Sequence, residues 1–332
     1  MKTKSLFLFI GIIFLVGCEN DTKKKKPPIV NPPIVQPKIE RPDFNADSAY
    51  RYVQEQVDFG PRFPNNDAHA KCAKYLENKL NSFGLNTIIQ TGKATTFNKK
   101  TITIKNIIGE YNPSAQNRIL LFAHWDSRPF ADQDSKNLTQ PILGANDGAS
   151  GVGILIEVAR QLSIIQPKIG VDIIFFDAED YGQPSSGMSL EHHSESWCLG
   201  SQDSSRNPHK TNYRAKYGIL LDMVGSADAY FTKESISMSY APHVMDKIWR
   251  YAQQLGHGKH FVNTKTFFVG TDDHQYINQI ANIPSIDIIH YERSTGNFHP
   301  SWHTHNDNMD VINKATLAAV GEVLLYTIYN EK

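Results

Sequence analysis

Apolar and amphipathic stretches alternate along most of this chain. The run from Val171 to Phe176 is apolar on both faces, which predicts a strand covered by protein on both sides. Other apolar runs predict strands at 87–90, 101–111, 118–124, 217–223 and 283–289. Helical spacing predicts helices at 44–59, 67–83, 152–162, 244–255 and 314–329, with Asp67 capping the second. This alternation predicts a single α/β sandwich whose first strands are antiparallel.

The amino-terminal segment has the pattern of a processing signal. A basic start is followed by an apolar run at 6–16. The last two residues of this run begin the motif Leu15-Val16-Gly17-Cys18, which resembles a bacterial lipobox with Cys18 as the lipidated residue. The apolar run is short for a membrane span, which needs about 20 residues. Residues 1–18 are therefore predicted to be a lipoprotein signal peptide, 19–42 a Lys/Pro-rich tether and 43–332 a single domain. This predicts an exported, periplasmic, membrane-anchored protein.

Charge and cysteine content exclude some classes of function. The 332 residues include 34 basic and 34 acidic ones, and the lysine run at 23–26 leaves the rest mildly acidic, so we expect no nucleic-acid partner. Cys72 and Cys198 could pair in an exported domain or remain buried thiols, and the sequence leaves both open. Neither has metal-site spacing, so a metal here would need oxygen and imidazole ligands.

Acidic side chains and one imidazole follow several predicted strands. The strand at 171–176 leads to Glu179 and Asp180, and the strand at 118–124 delivers His124 and Asp126. Residues beyond the carboxyl ends of strands serve one crevice in open α/β sheets. One carboxylate of the Glu-Asp pair could hold a cation while the other moves a proton. Asp147, in a glycine-rich turn before a predicted helix, is either a further ligand or a simple turn residue.

Later parts of the chain add to this set. Asp222 ends another predicted strand, Asp272 and Asp273 are adjacent, and Trp302 precedes His303. Burying several carboxylates together is costly unless a cation or shared protons neutralise them. Asp, Glu and His without Cys favour zinc with an open coordination position, which is typical of a catalytic site.

One long stretch, 181–213, has no predicted element. It is polar and contains His192 and His193. We expect an exposed loop; the alternative is a cover over the site that selects peptides.

These motifs together resemble a known family, the glutaminyl-peptide cyclotransferases (glutaminyl cyclases) of the zinc aminopeptidase superfamily. The resemblance extends from about Asp43 to the C-terminus, and the chain is most similar to the bacterial branch of the animal-type enzymes. The motifs that carry it are His124-x-Asp126, Asn146-Asp147-Gly148, Phe176-Asp177-Ala178-Glu179-Asp180, Leu221-Asp222, Asp272-Asp273-His274 and Trp302-His303-Thr304. The resemblance implies a three-layer α/β/α sandwich with a central mixed, mostly parallel sheet.

The resemblance also implies a set of roles. One zinc would be held by Asp147, Asp180 and His303, and Glu179 would be the general acid/base. Asp222 and Asp272 would form a hydrogen-bonded pair, with Asp273 as the neighbouring candidate for Asp272. Trp302 would border the substrate. The substrate would be a peptide or protein with N-terminal glutamine, converted to pyroglutamate with release of ammonia. Asp180 is a departure, since animal cyclases carry Glu there, and Ala123 and Val152 replace a flanking disulfide.

The alternative is a two-zinc aminopeptidase. In that case His124 and Asp222 would bind a second zinc, Asp147 would bridge the two ions, and Glu179 would activate water. Every ligand for this alternative is present in the sequence. A non-catalytic domain that kept only the fold would be expected to have lost ligands, and none is missing.

Overall fold

The computed structural model describes residues 40–184, 194–266, 270–292 and 296–332. These belong to one compact unit, Ile39–Lys332. Cys18 and residues 19–39 of the tether lie outside the described residues, so their predicted roles stay predictions. Within the described ranges, no helix is long and apolar enough to cross a membrane.

A six-stranded mixed sheet lies at the centre of the molecule, in the order β1-β2-β4-β3-β5-β8. The first two pairings are antiparallel, and β4, β3, β5 and β8 run parallel. Its strands are β1 (Asn86–Thr95), β2 (Thr101–Tyr111), β3 (Arg118–His124), β4 (Gly170–Phe176), β5 (Gly218–Asp222) and β8 (Ser285–Ile289). Two further strands, β6 (Phe231–Glu234) and β7 (Phe261–Thr266), form a separate parallel pair.

Helices cover both faces of this sheet. Successive side chains of a strand point to opposite faces, and in this sheet both faces carry apolar side chains that need covering. Leu121 and Ile173 belong to a large core with the long helices, whereas Leu120 and Ile174 pack into a smaller core with Ile277 of α7. The helices are α1 (Ala46–Val57), α2 (Asp67–Ser82), α3 (Ala149–Ile164), α4 (Leu199–Arg206), α5 (Ser235–Tyr240), α6 (Pro242–Gln254), α7 (Asp273–Gln279) and α8 (Lys314–Asn330). The predicted three-layer α/β/α sandwich with a mixed, mostly parallel sheet is confirmed.

Some details of the sequence prediction are wrong. The helix α2 is capped by Asn66, whose side chain accepts from the His69 N–H, and not by Asp67. The stretch 181–213 is not simply a loop, because α4 lies within it and buries one face. The strand predicted at 87–90 is longer, and α5, α7, β6 and β7 were not predicted. All four are short, with too few residues to show a clear period.

The parallel strands bring their carboxyl ends to one edge of the sheet. In the registers of β3 with β4 and of β5 with β8, His124 pairs with Phe176 and Asp222 pairs with Ile289. The segments that follow these strands therefore begin side by side, which is where open α/β sheets place ligands. Cys72 and Cys198 are both buried and unpaired, so no disulfide links them.

Candidate active site

The turn after β4 presents the two predicted carboxylates to a common pocket. Ala178 has a left-handed backbone (φ 55°), which breaks the alternation of the strand. The carboxylate of Asp126 then accepts hydrogen bonds from the backbone N–H groups of Glu179 (3.1 Å) and Asp180 (3.2 Å). Glu179 and Asp180 both line the pocket. Asp126 therefore fixes the backbone that carries both acids.

A second buried carboxylate places Asp147 in the same way. The side chain of Asp307 accepts from the backbone N–H groups of Asn146 (2.7 Å) and Asp147 (3.0 Å). Gly148 follows with φ 93°, and a Cβ there would lie 2.9 Å from the His124 ring. The turn therefore requires glycine both for its backbone angle and for its close approach to the imidazole.

Asp147, Asp180 and His303 form a donor set for a metal ion. One ligand atom from each lies within 4.8 Å of the others, and all three residues are buried. His303 Nε2 is 3.1 Å from Asp180 Oδ1 and 3.6 Å from Asp147 Oδ2. The Oδ2 atoms of both acids have no hydrogen-bond partner among the described residues. Because unpaired buried carboxylate oxygens are costly, two carboxylates and an imidazole in this arrangement fit zinc.

The residues behind His303 support the same role. Asp132 Oδ1 lies 3.2 Å from His303 Nδ1, which places a carboxylate at the other ring nitrogen, where such groups orient metal-binding imidazoles. Arg128 is buried and donates to both Asp132 and Asp180. Despite burial, His303 and Arg128 hold the pKa of Asp132 well below its usual range. Asp132 therefore stays ionised, which suits a carboxylate that orients a metal-binding imidazole.

A second donor set overlaps the first. His124 Nε2 lies 3.0 Å from Asp147 Oδ1 and 3.3 Å from Asp222 Oδ1, and the three residues form another compact group. Burial disfavours a charged ring, but Asp126, Asp147 and Asp222 raise the pKa of His124 well above its ordinary value. A proton on His124 can thus satisfy this group without a metal, although the geometry would also accept a second ion.

Glu179 lies outside the first donor set and beside further acids. It is only 7% exposed, and burial together with Asp180 and Asp272 raises its pKa well above the ordinary value. Burial likewise raises the pKa of Asp222 to about 7. Both carboxyl groups therefore hold a proton more readily than an exposed acid does, and Asp222 is poised to exchange one near neutral pH.

The structure distinguishes between the two adjacent acids Asp272 and Asp273. Asp272 lines the pocket and caps α7, whereas Asp273 is the first residue of that helix and is fully buried. The carboxyl group of Asp272 accepts from the Asp273 N–H at 2.6 Å, and one of its oxygens lies within 4.8 Å of an oxygen of Asp287 in β8, a neighbour that the sequence did not suggest. Asp222 lines the same pocket as Asp272, its predicted partner. The hydrogen bond that the structure shows for the Asp222 carboxyl group, however, is to the His124 ring.

The pocket has a volume of about 190 Å³. Trp302 stacks on His303 with ring centres 3.8 Å apart, and Trp197 lies parallel to the same imidazole at 6.0 Å. Acids and aromatic groups therefore share one small cavity, which is lined by Asp147, Glu179, Asp180, Trp197, Asp222, Met223, Gly270, Thr271, Asp272, Ile289, Phe298, Trp302 and His303.

Comparison with known proteins agrees with this geometry. The sequence model of peptidase family M28 matches residues 106–328, which span every strand from β3 to β8 and both donor sets. The chain belongs to peptidase family M28.

Solved structures similar to this M28 chain cover nearly all of the domain. A glutaminyl cyclase from Bacteroides thetaiotaomicron, bound to N-acetylhistamine, is 51% identical, with a TM-score of 0.86 over 88% of this chain and 100% of that one. A Zn-dependent exopeptidase from Parabacteroides distasonis is 49% identical, with a TM-score of 0.85 over 88% of this chain and 100% of that one. Aminopeptidase YwaD of Bacillus subtilis is 25% identical over 68% of this chain. This chain spans only 44% of that relative's length.

Sequence reasoning missed several parts of this M28 site. Asp132, Arg128 and Trp197 stand outside the recognisable motifs, and Asp287 lies between the isoleucines of β8 as its one charged residue. A single polar residue within a buried strand is the one signal that could have indicated Asp287. The contacts of the other three depend on loops that meet only in the folded chain.

Proposed function

We propose that this protein is a zinc-dependent glutaminyl-peptide cyclotransferase. The observation that carries the proposal is the position of Glu179: it lies in the pocket next to the donor set of Asp147, Asp180 and His303 but is not a member of it. The site thus combines a metal-binding face with a separate carboxyl group whose pKa is raised. The 51% identity to a bacterial glutaminyl cyclase over the whole of that chain supports this choice of reaction.

The reaction closes a ring within one residue. The α-amino nitrogen of an N-terminal glutamine bonds to the carbon of its own side-chain amide, and the bond from that carbon to the amide nitrogen breaks. Glu179 accepts a proton from the attacking amine and returns it to the departing nitrogen, so ammonia leaves and Glu179 is regenerated. When bound by Asp147, Asp180 and His303, zinc supplies Lewis-acid polarisation of the amide carbonyl.

The pocket suits a small residue with an amino terminus. Its volume of about 190 Å³ accommodates one side chain folded back on its own amine. Asp222 and Asp272 line the wall and can accept hydrogen bonds from the neutral amino group that attacks, while Trp302 and Phe298 supply apolar surface for the methylene groups. Holding both reacting groups of one residue in a single conformer provides much of the rate enhancement.

The decisive experiment is incubation of a Gln-initiated peptide with the purified protein. Mass spectrometry should show the loss of one ammonia, and a coupled assay should show the ammonia released. The same peptide beginning with Ala is the control and should stay intact. Release of the first residue from both peptides, without ring closure, would contradict the proposal.

The second candidate is a two-zinc aminopeptidase. This candidate is supported by the group of His124, Asp147 and Asp222, because these residues could hold a second ion. We propose one zinc per chain, since His124 Nε2 and Asp222 Oδ1 of this group already share a hydrogen bond, whereas the Oδ2 atoms of Asp147 and Asp180 in the first donor set have no hydrogen-bond partner among the described residues. Elemental analysis of the purified protein, combined with hydrolysis of aminoacyl-anilides, separates the two candidates.

We also propose that the protein is exported and anchored in a membrane through a lipid on Cys18. The support is the lipobox-like sequence and the Lys/Pro-rich segment that follows it. Metabolic labelling with a fatty acid in a bacterial host should label the wild-type chain and not Cys18→Ala. Equal labelling of both would contradict lipidation at this position.

A further inference from the structure

The thiol of Cys198 contacts the carboxylate that carries the proposed proton transfer. Its Sγ donates a hydrogen bond to Glu179 Oε1 at 3.1 Å. The backbone N–H of Cys198 donates to the carbonyl oxygen of Glu179 at 2.9 Å. One residue therefore holds both the backbone and the side chain of Glu179.

The position of Cys198 is itself fixed by the close approach of α4 to the turn that follows β4. Cys198 directly precedes this helix and has a left-handed backbone (φ 57°). Two residues later, a Cβ on Gly200 would lie 2.2 Å from the carbonyl oxygen of Asp177, so only glycine allows this approach. Asn106 joins both segments, donating to the Gly200 carbonyl (2.9 Å) and accepting from the Asp177 N–H (3.1 Å). The contacts between the start of α4 and the turn after β4 therefore place the Cys198 thiol beside Glu179.

A thiol is chemically well suited to this position. The Cys198 thiol is a side-chain donor hydrogen-bonded to the Glu179 carboxyl group, in surroundings where Asp180, Asp272 and Asp273 supply further carboxyl groups. Burial, and then the nearby carboxylates, raise the pKa of Cys198 well above its ordinary value. Cys198 therefore keeps its hydrogen and remains a neutral donor, without adding a charge that would pair permanently with Glu179.

We infer that Cys198 is a positioning residue for Glu179, whose thiol hydrogen bond holds Oε1 so that the carboxyl group is presented to the substrate pocket. This inference rests on the proposed function, because it assumes that Glu179 transfers the proton. Cys198 itself does not line the pocket and is fully buried. It acts through Glu179 and has no contact with the substrate.

Steady-state cyclisation of a Gln-initiated peptide tests the inference. Cys198→Ala should lower kcat roughly three- to tenfold, the effect of losing one hydrogen bond, with KM within about twofold of wild type. Cys198→Ser keeps a donor and should recover most of kcat. Cys72→Ala is the matched control, because Cys72 is likewise a free, fully buried thiol but lies on α2 and packs into the large core. It should leave kcat unchanged. Equal kcat in Cys198→Ala and Cys72→Ala, or no recovery in Cys198→Ser, would overturn the inference.

The infrared S–H stretching band provides a readout that needs no substrate. In the full-length protein, the band removed by Cys198→Ala should lie at lower frequency than the band removed by Cys72→Ala, because only the first thiol donates to a carboxylate. Glu179→Gln should move the Cys198 band to higher frequency, since an amide oxygen is a weaker acceptor. A Cys198 band that does not respond to Glu179→Gln would overturn the inference, and Cys198→Ser assigns this band if Cys198→Ala fails to fold. A responsive band in a protein that cyclises no Gln peptide would instead overturn the proposed function.

Discussion

Replacing Glu179 with Gln tests the division of labour within the site. The amide has nearly the same shape as the carboxyl group but cannot carry a proton. Because general acid–base groups contribute roughly 100- to 10,000-fold, Glu179→Gln should raise the barrier by about 3 to 5 kcal/mol. The loss should appear in kcat, measured by ammonia release, because the pocket that binds the peptide keeps its shape.

The structure also predicts what this substitution should leave intact. Glu179 is outside the donor set of Asp147, Asp180 and His303, so zinc measured by atomic emission should stay at the wild-type level. Gln still offers an acceptor to the Cys198 thiol, and removal of a charge beside several acids relieves repulsion. The melting temperature should therefore be equal to that of wild type or slightly higher.

Asp180→Asn is the contrasting variant, because it alters a member of the donor set. It should lose both zinc and activity, whereas Glu179→Gln should lose activity alone. If Glu179→Gln lost its zinc while Asp180→Asn kept it, the roles of these two neighbouring acids would be exchanged, and the reasoning from the geometry of the turn would be refuted.

Three further predictions concern one contact beside the site and two contacts elsewhere in the domain. Asp132→Asn weakens the support of His303, so zinc affinity measured by chelator competition should fall roughly 10- to 100-fold; an unchanged affinity would contradict the orienting role. The pKa of Glu331 is lowered from 4.5 to about 2, despite its partial burial, by hydrogen bonds from two lysines and a tyrosine. Its contribution is therefore present above pH 4.5 and is lost as the pH falls towards 2. After solvent screening, Glu331→Gln should lower the unfolding free energy by about 1 kcal/mol at pH 7, and urea denaturation should show this difference shrinking in acid; a difference independent of pH would refute the electrostatic explanation. Finally, a Cβ on Gly151 would lie 2.4 Å from the carbonyl oxygen of Leu221, so Gly151→Ala should destabilise the fold by about 1 to 3 kcal/mol in the same assay, and wild-type stability would show that the helix can move away at no cost.

The sheet was the most predictable part of the fold. The strands β2 and β3 have the bounds that the apolar pattern predicts. β3 is apolar from Ile119 to Ala123 because it lies between two helix layers, whereas β2 begins with alternating apolar residues, Ile102 and Ile104, before the pair Ile107-Ile108. The short elements escaped prediction for a related reason. α4 and α7 have few residues, and their positions depend on contacts with the sheet that no local period reveals.

The residues of the site also divide into those that the sequence predicts and those that it does not. His124 and Asp222 end strands, and Glu179 and Asp180 follow one, so chain position alone predicted that these four residues would meet. Asp132, Asp307 and Cys198 lie in loops or at a helix start, and nothing nearby in the sequence indicates which backbone or side-chain groups they contact.

The sequence by itself determined the layers of the fold and the acids gathered at the carboxyl edge of the sheet, because side-chain alternation and strand direction are local properties of the chain. Tertiary structure alone decided which carboxyl groups face a common point and which thiol holds Glu179. Those relations join segments as distant as Asp147 and His303, and their geometry is set by loops whose paths depend on the packing of the whole domain.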